Sequence, residues 1–125
     1  DSVASRGLGD VYKRQMYNTL KPGGILGITD HRSNSTIDEK GYTCEPCIIK
    51  DAEAVGFIYL AASQINANPK DTKDHPGGVW NLPPTLSTNG LSKKNIEQAQ
   101  KRYKNIGESD RYTLKFAKPL KVSIE

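Results

Sequence analysis

The chain has 125 residues, with 18 Lys+Arg against 14 Asp+Glu for a formal charge of +4, 35% hydrophobic residues and a mean hydropathy of −0.64. That length suits one domain, and no run of about 18 apolar residues is present to form a membrane-spanning helix. The basic excess is small and scattered, so it is only weak evidence for nucleic-acid binding, and two cysteines are too few for a disulfide-dense miniprotein.

The first residues look foreign to the rest. Ser5 to Gln15 read Ser-Arg-Gly-Leu-Gly-Asp-Val-Tyr-Lys-Arg-Gln, eleven residues that fit one frame of a transposase-type sequencing adaptor. Residues 1–15 are therefore expected to be an adaptor-like, non-native tail that packs little against the rest. A natural basic helix or tail is the plainer alternative. On the adaptor reading Met16 is internal to a truncated frame, and the true N-terminus is missing. Cytoplasmic and exported locations then stay equally open. Residues 16–119 form the expected domain, and residues 120–125 a short C-terminal tail.

Beyond the tail the chain alternates between helix and strand patterns. Met16 to Leu20 read as a helix end, and Lys21-Pro22-Gly23-Gly24 breaks it. Ile25 to Thr29 is a short apolar run, of the kind that suits a parallel strand covered on both faces, and polar Asp30-His31-Arg32 follow it. Ser33 to Gly41 reads as loop. Glu45 to Val55 predicts a helix, with Pro46 in its first turn, Ile48, Ile49, Ala52 and Val55 on one face, and Gly56 as C-cap. Phe57 to Ile65 predicts a second strand. Asn66 to Gly90 is a long connection punctuated by proline and glycine. Its apolar Val79, Trp80 and Leu82 predict an ordered lid anchored by Trp80, with His75 on the outer, mobile part. Ser92 caps a predicted helix to about Tyr103. Arg111 to Ala117 alternates as a strand, with Tyr112, Leu114 and Phe116 on one side.

Few constellations carry chemistry. Asp30 and His31 stand at a strand's carboxyl end, where open α/β sheets bind ligands, so His31 is a candidate general base and Asp30 a candidate orienting group. They equally well only open a loop. Cys44-Glu45-Pro46-Cys47 has CxxC spacing at a helix start, which suits a redox dithiol or half of a metal site. Two incidental thiols explain it as simply. Trp80 either covers a ligand or plugs the loop onto the core. The basic helix with Lys93, Lys94, Lys101 and Arg102 lacks interleaved aromatics and reads as a solvated face.

Leu20-Lys21-Pro22-Gly23-Gly24-Ile25-Leu26-Gly27-Ile28 resembles the Lys-Pro-Gly-Gly-plus-strand signature of class I S-adenosylmethionine-dependent methyltransferases. Asp30-His31, Ile48 to Phe57, Ile65 to Asp71, Gly107 to Arg111 and Thr113 to Phe116, in that order, resemble the C-terminal half of a bacterial predicted-methyltransferase subfamily. The resemblance covers about Met16 to Pro119. It implies an α/β fold, an incomplete Rossmann-like sheet. Ile25–Thr29, Phe57–Ile65 and Arg111–Ala117 would be the fifth, sixth and seventh of seven strands. It places Asp30 and His31 on the substrate side; Asn66, Asn68 and Trp80 of the long connection are the candidate substrate-lid residues.

The implied cofactor, S-adenosylmethionine, belongs to the parent enzyme only, because its glycine-rich loop and acidic ribose-binding residue lie upstream. Gly7-Leu8-Gly9 imitates such a loop, but it sits in the tail and no strand is predicted before it. No cofactor or metal ligands are therefore expected in this fragment. The expected partner is an unknown methyl acceptor, a small molecule, with no nucleic acid and no membrane span. The fragment is expected to be inactive alone and to self-associate through the unpaired edge of Ile25–Thr29. A non-catalytic α/β binding module, or a thiol or metal module on Cys44 and Cys47, is the alternative.

Overall fold

A computed structural model describes residues 2–4 and 9–120. Its elements in chain order are β1 (Ser2–Ala4), α1 (Gly9–Thr19), β2 (Ile25–His31), α2 (Glu45–Val55), β3 (Ile58–Ser63), α3 (Ile96–Ile106) and β4 (Arg111–Ala117). Short 3₁₀ turns at Gly78–Asn81 and Lys93–Asn95 interrupt the long connection between β3 and α3.

The sheet order is β1-β2-β4-β3, and β4 lies antiparallel to both of its neighbours. The last strand therefore inserts between two strands that run parallel to each other. Register pairs Leu26 with Phe116 and Ile28 with Leu114, so these four share one face. They are buried together with Met16 of α1 and Ile48 and Ala52 of α2. Both helices thus cover the same face. The opposite face carries Thr29, Thr113 and Lys115, which are half-buried or exposed. The expectation that β2 is covered on both faces is corrected here: its run is apolar, but on the second face its partner strand offers Thr113 and Lys115, with apolar Ala117 only at the end opposite Ile25.

α2 owes its bounds to local chemistry. Cys44 caps its start, Pro46 lies in the first turn, and Gly56 closes it at φ +121°. A side chain at Gly56 would meet the Tyr17 ring at 3.0 Å, so glycine both permits the turn and lets α1 dock. β3 is shorter than predicted and lies at the sheet edge. Its Ile58, Tyr59 and Leu60 remain between 38% and 49% exposed, on a strand whose outer edge pairs with no other strand among the described residues.

The tail does not stand apart from the fold. Ser2–Ala4 pairs in parallel with Leu26–Ile28, and α1 runs unbroken across the expected boundary at residue 15. Lys13 is buried and forms an ion pair with Asp51 at 3.2 Å. The edge of β2 that was expected to be bare is thus occupied for three residues. The physical reason is general: an unpaired strand edge offers hydrogen bonds to any chain segment that reaches it. A strand therefore does precede Gly7-Leu8-Gly9, contrary to expectation. Gly7 and Leu8 themselves lie outside the described residues. No helix among the described residues is long and apolar enough to cross a membrane.

Candidate functional site

β2 and β4 bring together the two ends that carry polar groups. His31 is paired in register with Arg111, and Asp30 with Tyr112. The turn before β4 places Ser109 against the imidazole, and the Ser109 hydroxyl hydrogen-bonds His31 Nδ1. Asp30 Oδ1 accepts the His31 backbone N–H at 2.7 Å. Burial pushes the His31 pKa below its ordinary 6.5; the Asp30 and Asp71 charges oppose this and Arg111 reinforces it.

This depression has a defined sign. The native imidazole binds a proton less readily than the unfolded chain does, so its share of stability is complete above about pH 6.5 and is lost as pH falls below that value. We expect the His31 ring proton resonance of this two-histidine chain to titrate with a midpoint below 6.5. A midpoint at or above 6.5 would contradict the burial argument.

A cavity of about 150 Å³ opens beside His31. His31, Glu108, Ser109 and Arg111 form one wall, and Trp80, Pro83 and Pro84 the other. The Arg111 Nε is buried with no hydrogen-bond partner. The second wall comes from the long connection, which is held by half-buried and buried polar side chains. Asn66 Nδ2 donates to Thr113 Oγ1 at 2.9 Å, and Asn68 Nδ2 donates to the Ile106 and Glu108 carbonyls at 2.8 and 2.7 Å. Asn81 is fully buried; its Oδ1 accepts from the Gly77 amide and its Nδ2 donates to the Ser87 and Asn89 carbonyls. Leu82 packs with Ala99 and Tyr103 in a second core.

Two expectations about this connection are corrected. Trp80 does not anchor it: Trp80 is 49% exposed, while Val79 and Leu82 on either side are buried at 8% and 0%. The 3₁₀ turn directs its neighbours inward and leaves the indole against Gly41 and the cavity. His75 is not on a mobile outer part either. It is 3% exposed, with Nε2 2.9 Å from Asp71 Oδ1 and its ring edge-on to Tyr103 at 5.1 Å.

Asp71 organises the ground beneath the cavity. Its carboxylate accepts the Tyr42 hydroxyl at 2.9 and 3.0 Å, the Lys73 amide at 3.0 Å and the Asp110 amide at 3.0 Å. Burial, and then this bond to Asp71, push the Tyr42 hydroxyl pKa well above its usual 10. The Tyr42 ring stands edge-on to His31 at 6.5 Å, a favourable aromatic geometry. Burial raises the Asp110 carboxyl, but hydrogen bonds from Lys73 and the Asn68 amide and the charges of Lys73 and Arg32 outweigh it and leave the group below the usual carboxylate value. Ser109, Asp71, Tyr42 and Arg111 were not singled out by sequence. Asp71, Ser109 and Arg111 entered only inside the blocks Ile65 to Asp71 and Gly107 to Arg111, without a role.

Cys44 and Cys47 are joined by a disulfide. The connection from β2 to α2 holds one glycine, Gly41, and a Cβ there would meet Val79 at 2.6 Å and Trp80 at 3.2 Å. That glycine lets chain segments approach each other and leaves no open cradle for a cofactor.

No protein-family model and no curated protein matches this chain. Among solved structures it is similar to the [4+2]-cyclase SpnF, at 18% identity and a TM-score of 0.51, over 90% of this chain and 46% of that one. The chain thus spans under half the length of that protein, and the likeness shows the fold alone. With the inserted antiparallel strand, it defines a mixed α/β, methyltransferase-like fold.

Proposed function

We propose that this chain is the acceptor-side, C-terminal half of an S-adenosylmethionine-dependent methyltransferase, with His31 as the base that serves a small-molecule acceptor. The observation that carries the reading is His31 itself. It ends strand β2, lines the cavity, has its pKa depressed by burial, and has Nδ1 held by Ser109. In the neutral tautomer this role requires, Nδ1–H donates to the Ser109 oxygen and the Nε2 lone pair is left for the bound molecule. Nε2 takes the proton that a hydroxyl, amine or thiol acceptor gives up.

Further residues take defined parts. Asp30 positions the His31 backbone through its 2.7 Å bond. Arg111 lines the cavity and brings a positive charge to it, which favours an acceptor carrying an anionic or carbonyl oxygen. Asn66 and Asn68 tie the base of the lid, and Trp80 forms its inner wall. We expect Trp80→Ala to weaken acceptor binding while leaving cofactor affinity intact. Because the indole is half exposed, the stability loss should stay under about 1.5 kcal/mol, below the roughly 3–5 kcal/mol of a core aromatic truncation. A loss in that larger range, with activity per folded molecule preserved, would make Trp80 a structural plug.

In this reading β2, β3 and β4 are the fifth, sixth and seventh strands. Ser2–Ala4 lies beside β2, where the fourth would run, and the adaptor-like tail stands in for it. The cofactor half lies upstream, so this chain alone is inactive. Calorimetric titration with S-adenosylmethionine tests the assignment. The chain alone should show no binding at micromolar concentrations, and the protein extended by its upstream half should bind. Binding by the chain alone would place the cofactor site wrongly.

A further inference from the structure

Cys44 and Cys47 have no part in the function proposed above, yet they sit where they can affect its cavity. Their disulfide closes the first turn of α2, with Cα atoms 5.2 Å apart. Cys44 is the N-cap, and its Sγ accepts the Cys47 amide at 3.2 Å. Cys44 is wholly buried, while Cys47 is half-buried.

The segment entering this turn touches both walls of the cavity. The His31 carbonyl accepts the Thr43 amide at 2.7 Å and the Thr43 hydroxyl at 3.1 Å. Tyr42 stands edge-on to the His31 ring. Gly41 lies under the Trp80 indole, and the Val79 amide donates to the Lys40 carbonyl at 3.2 Å. At Gly78, φ is +65° and a Cβ would lie 2.1 Å from that same carbonyl, so the two segments are in direct backbone contact. The Cys44 amide donates to Asp38 Oδ1 at 3.0 Å, which fixes the segment's far end to the disulfide.

We propose that Cys44–Cys47 is a thiol–disulfide exchange site for an external dithiol, and that its redox state reaches the His31–Trp80 cavity through residues 38–43. The inference does not rest on methyl transfer. The dithiol's thiolate attacks the accessible Cys47 sulfur, forming a mixed disulfide with it. The Cys44–Cys47 bond breaks, and Cys44 leaves as a thiolate at the helix N-terminus, which stabilises that anion. The dithiol's second thiol then attacks its own sulfur in the mixed disulfide and releases Cys47. The protein gains two electrons and two protons, and the dithiol is oxidised to its disulfide.

The chain contains a single tryptophan, so Trp80 fluorescence reads the cavity wall directly. The native chain would be equilibrated in dithiothreitol buffers of graded potential. Free thiols would be trapped by alkylation and counted by mass, with circular dichroism recorded at each step. Both thiols should appear together without denaturant. Trp80 emission should shift with the same midpoint while helix content holds. Cys47→Ser should show the shifted emission at every potential. Reduction only after unfolding, loss of helix on reduction, or unchanged emission across the redox step would each overturn the proposal. Failure here would leave the methyltransferase reading untouched, since cofactor binding and methyl transfer are not among its readouts.

Discussion

Asp71→Ala is expected to lower the free energy of unfolding by about 3–5 kcal/mol, the range for stripping a fully buried carboxylate from its partners. The carboxylate joins three chain segments that share no regular element: Tyr42 from the loop after β2, Lys73 and His75 from the long connection, and the Asp110 amide at the start of β4. Removing it leaves the Tyr42 hydroxyl and the Asp110 amide buried without that acceptor. Each unsatisfied group costs about 1–3 kcal/mol. Asp71→Asn should cost less, because it retains the shape and one acceptor oxygen. Urea unfolding followed by circular dichroism checks both. A loss under about 1 kcal/mol for the alanine variant would mean that water replaces the carboxylate freely, contrary to its burial.

His31→Ala, made in the protein completed by its upstream half, is expected to lower kcat by about a hundred- to ten-thousand-fold, the usual contribution of a positioned base. Affinity for S-adenosylmethionine should be unchanged, because His31 lies on the acceptor side. Ser109→Ala should have a smaller effect, since it frees the imidazole without removing it. The pH profile of the wild type should fall on the acid side with a midpoint below 6.5, following the burial of the ring. Activity of His31→Ala within about threefold of wild type would remove His31 from the chemistry.

The periodic parts of the fold were legible in the sequence, and the reasons are local. α2 carries its own cap, first-turn proline and C-terminal glycine, and its predicted bounds match the structure. β4 shows its buried face as Tyr112, Leu114 and Phe116 on alternate residues. The strand-end position of Asp30 and His31 followed from the apolar run before them. The long connection was less legible, because Asp71, His75 and Asn81 are buried polar residues. Their burial depends on partners distant in sequence, and no periodicity announces it. Trp80 was misplaced for a related reason: a short 3₁₀ turn decides which of Val79, Trp80 and Leu82 turns inward, and residue size alone does not. The pairing of Ser2–Ala4 with β2 was illegible because it depends on an open strand edge and on no pattern in the three residues themselves.

The central claim is that the cavity beside His31 receives a methyl acceptor. The most direct measurement gives the complete protein, extended by its upstream half, methyl-labelled S-adenosylmethionine and a mixture of small hydroxyl, amine and thiol compounds, and follows the label. The account predicts that label passes to a small molecule with wild-type protein and that transfer is lost with His31→Ala although the cofactor still binds. Wild-type protein that folds and binds S-adenosylmethionine, yet transfers no label or transfers it equally well without His31, would contradict it.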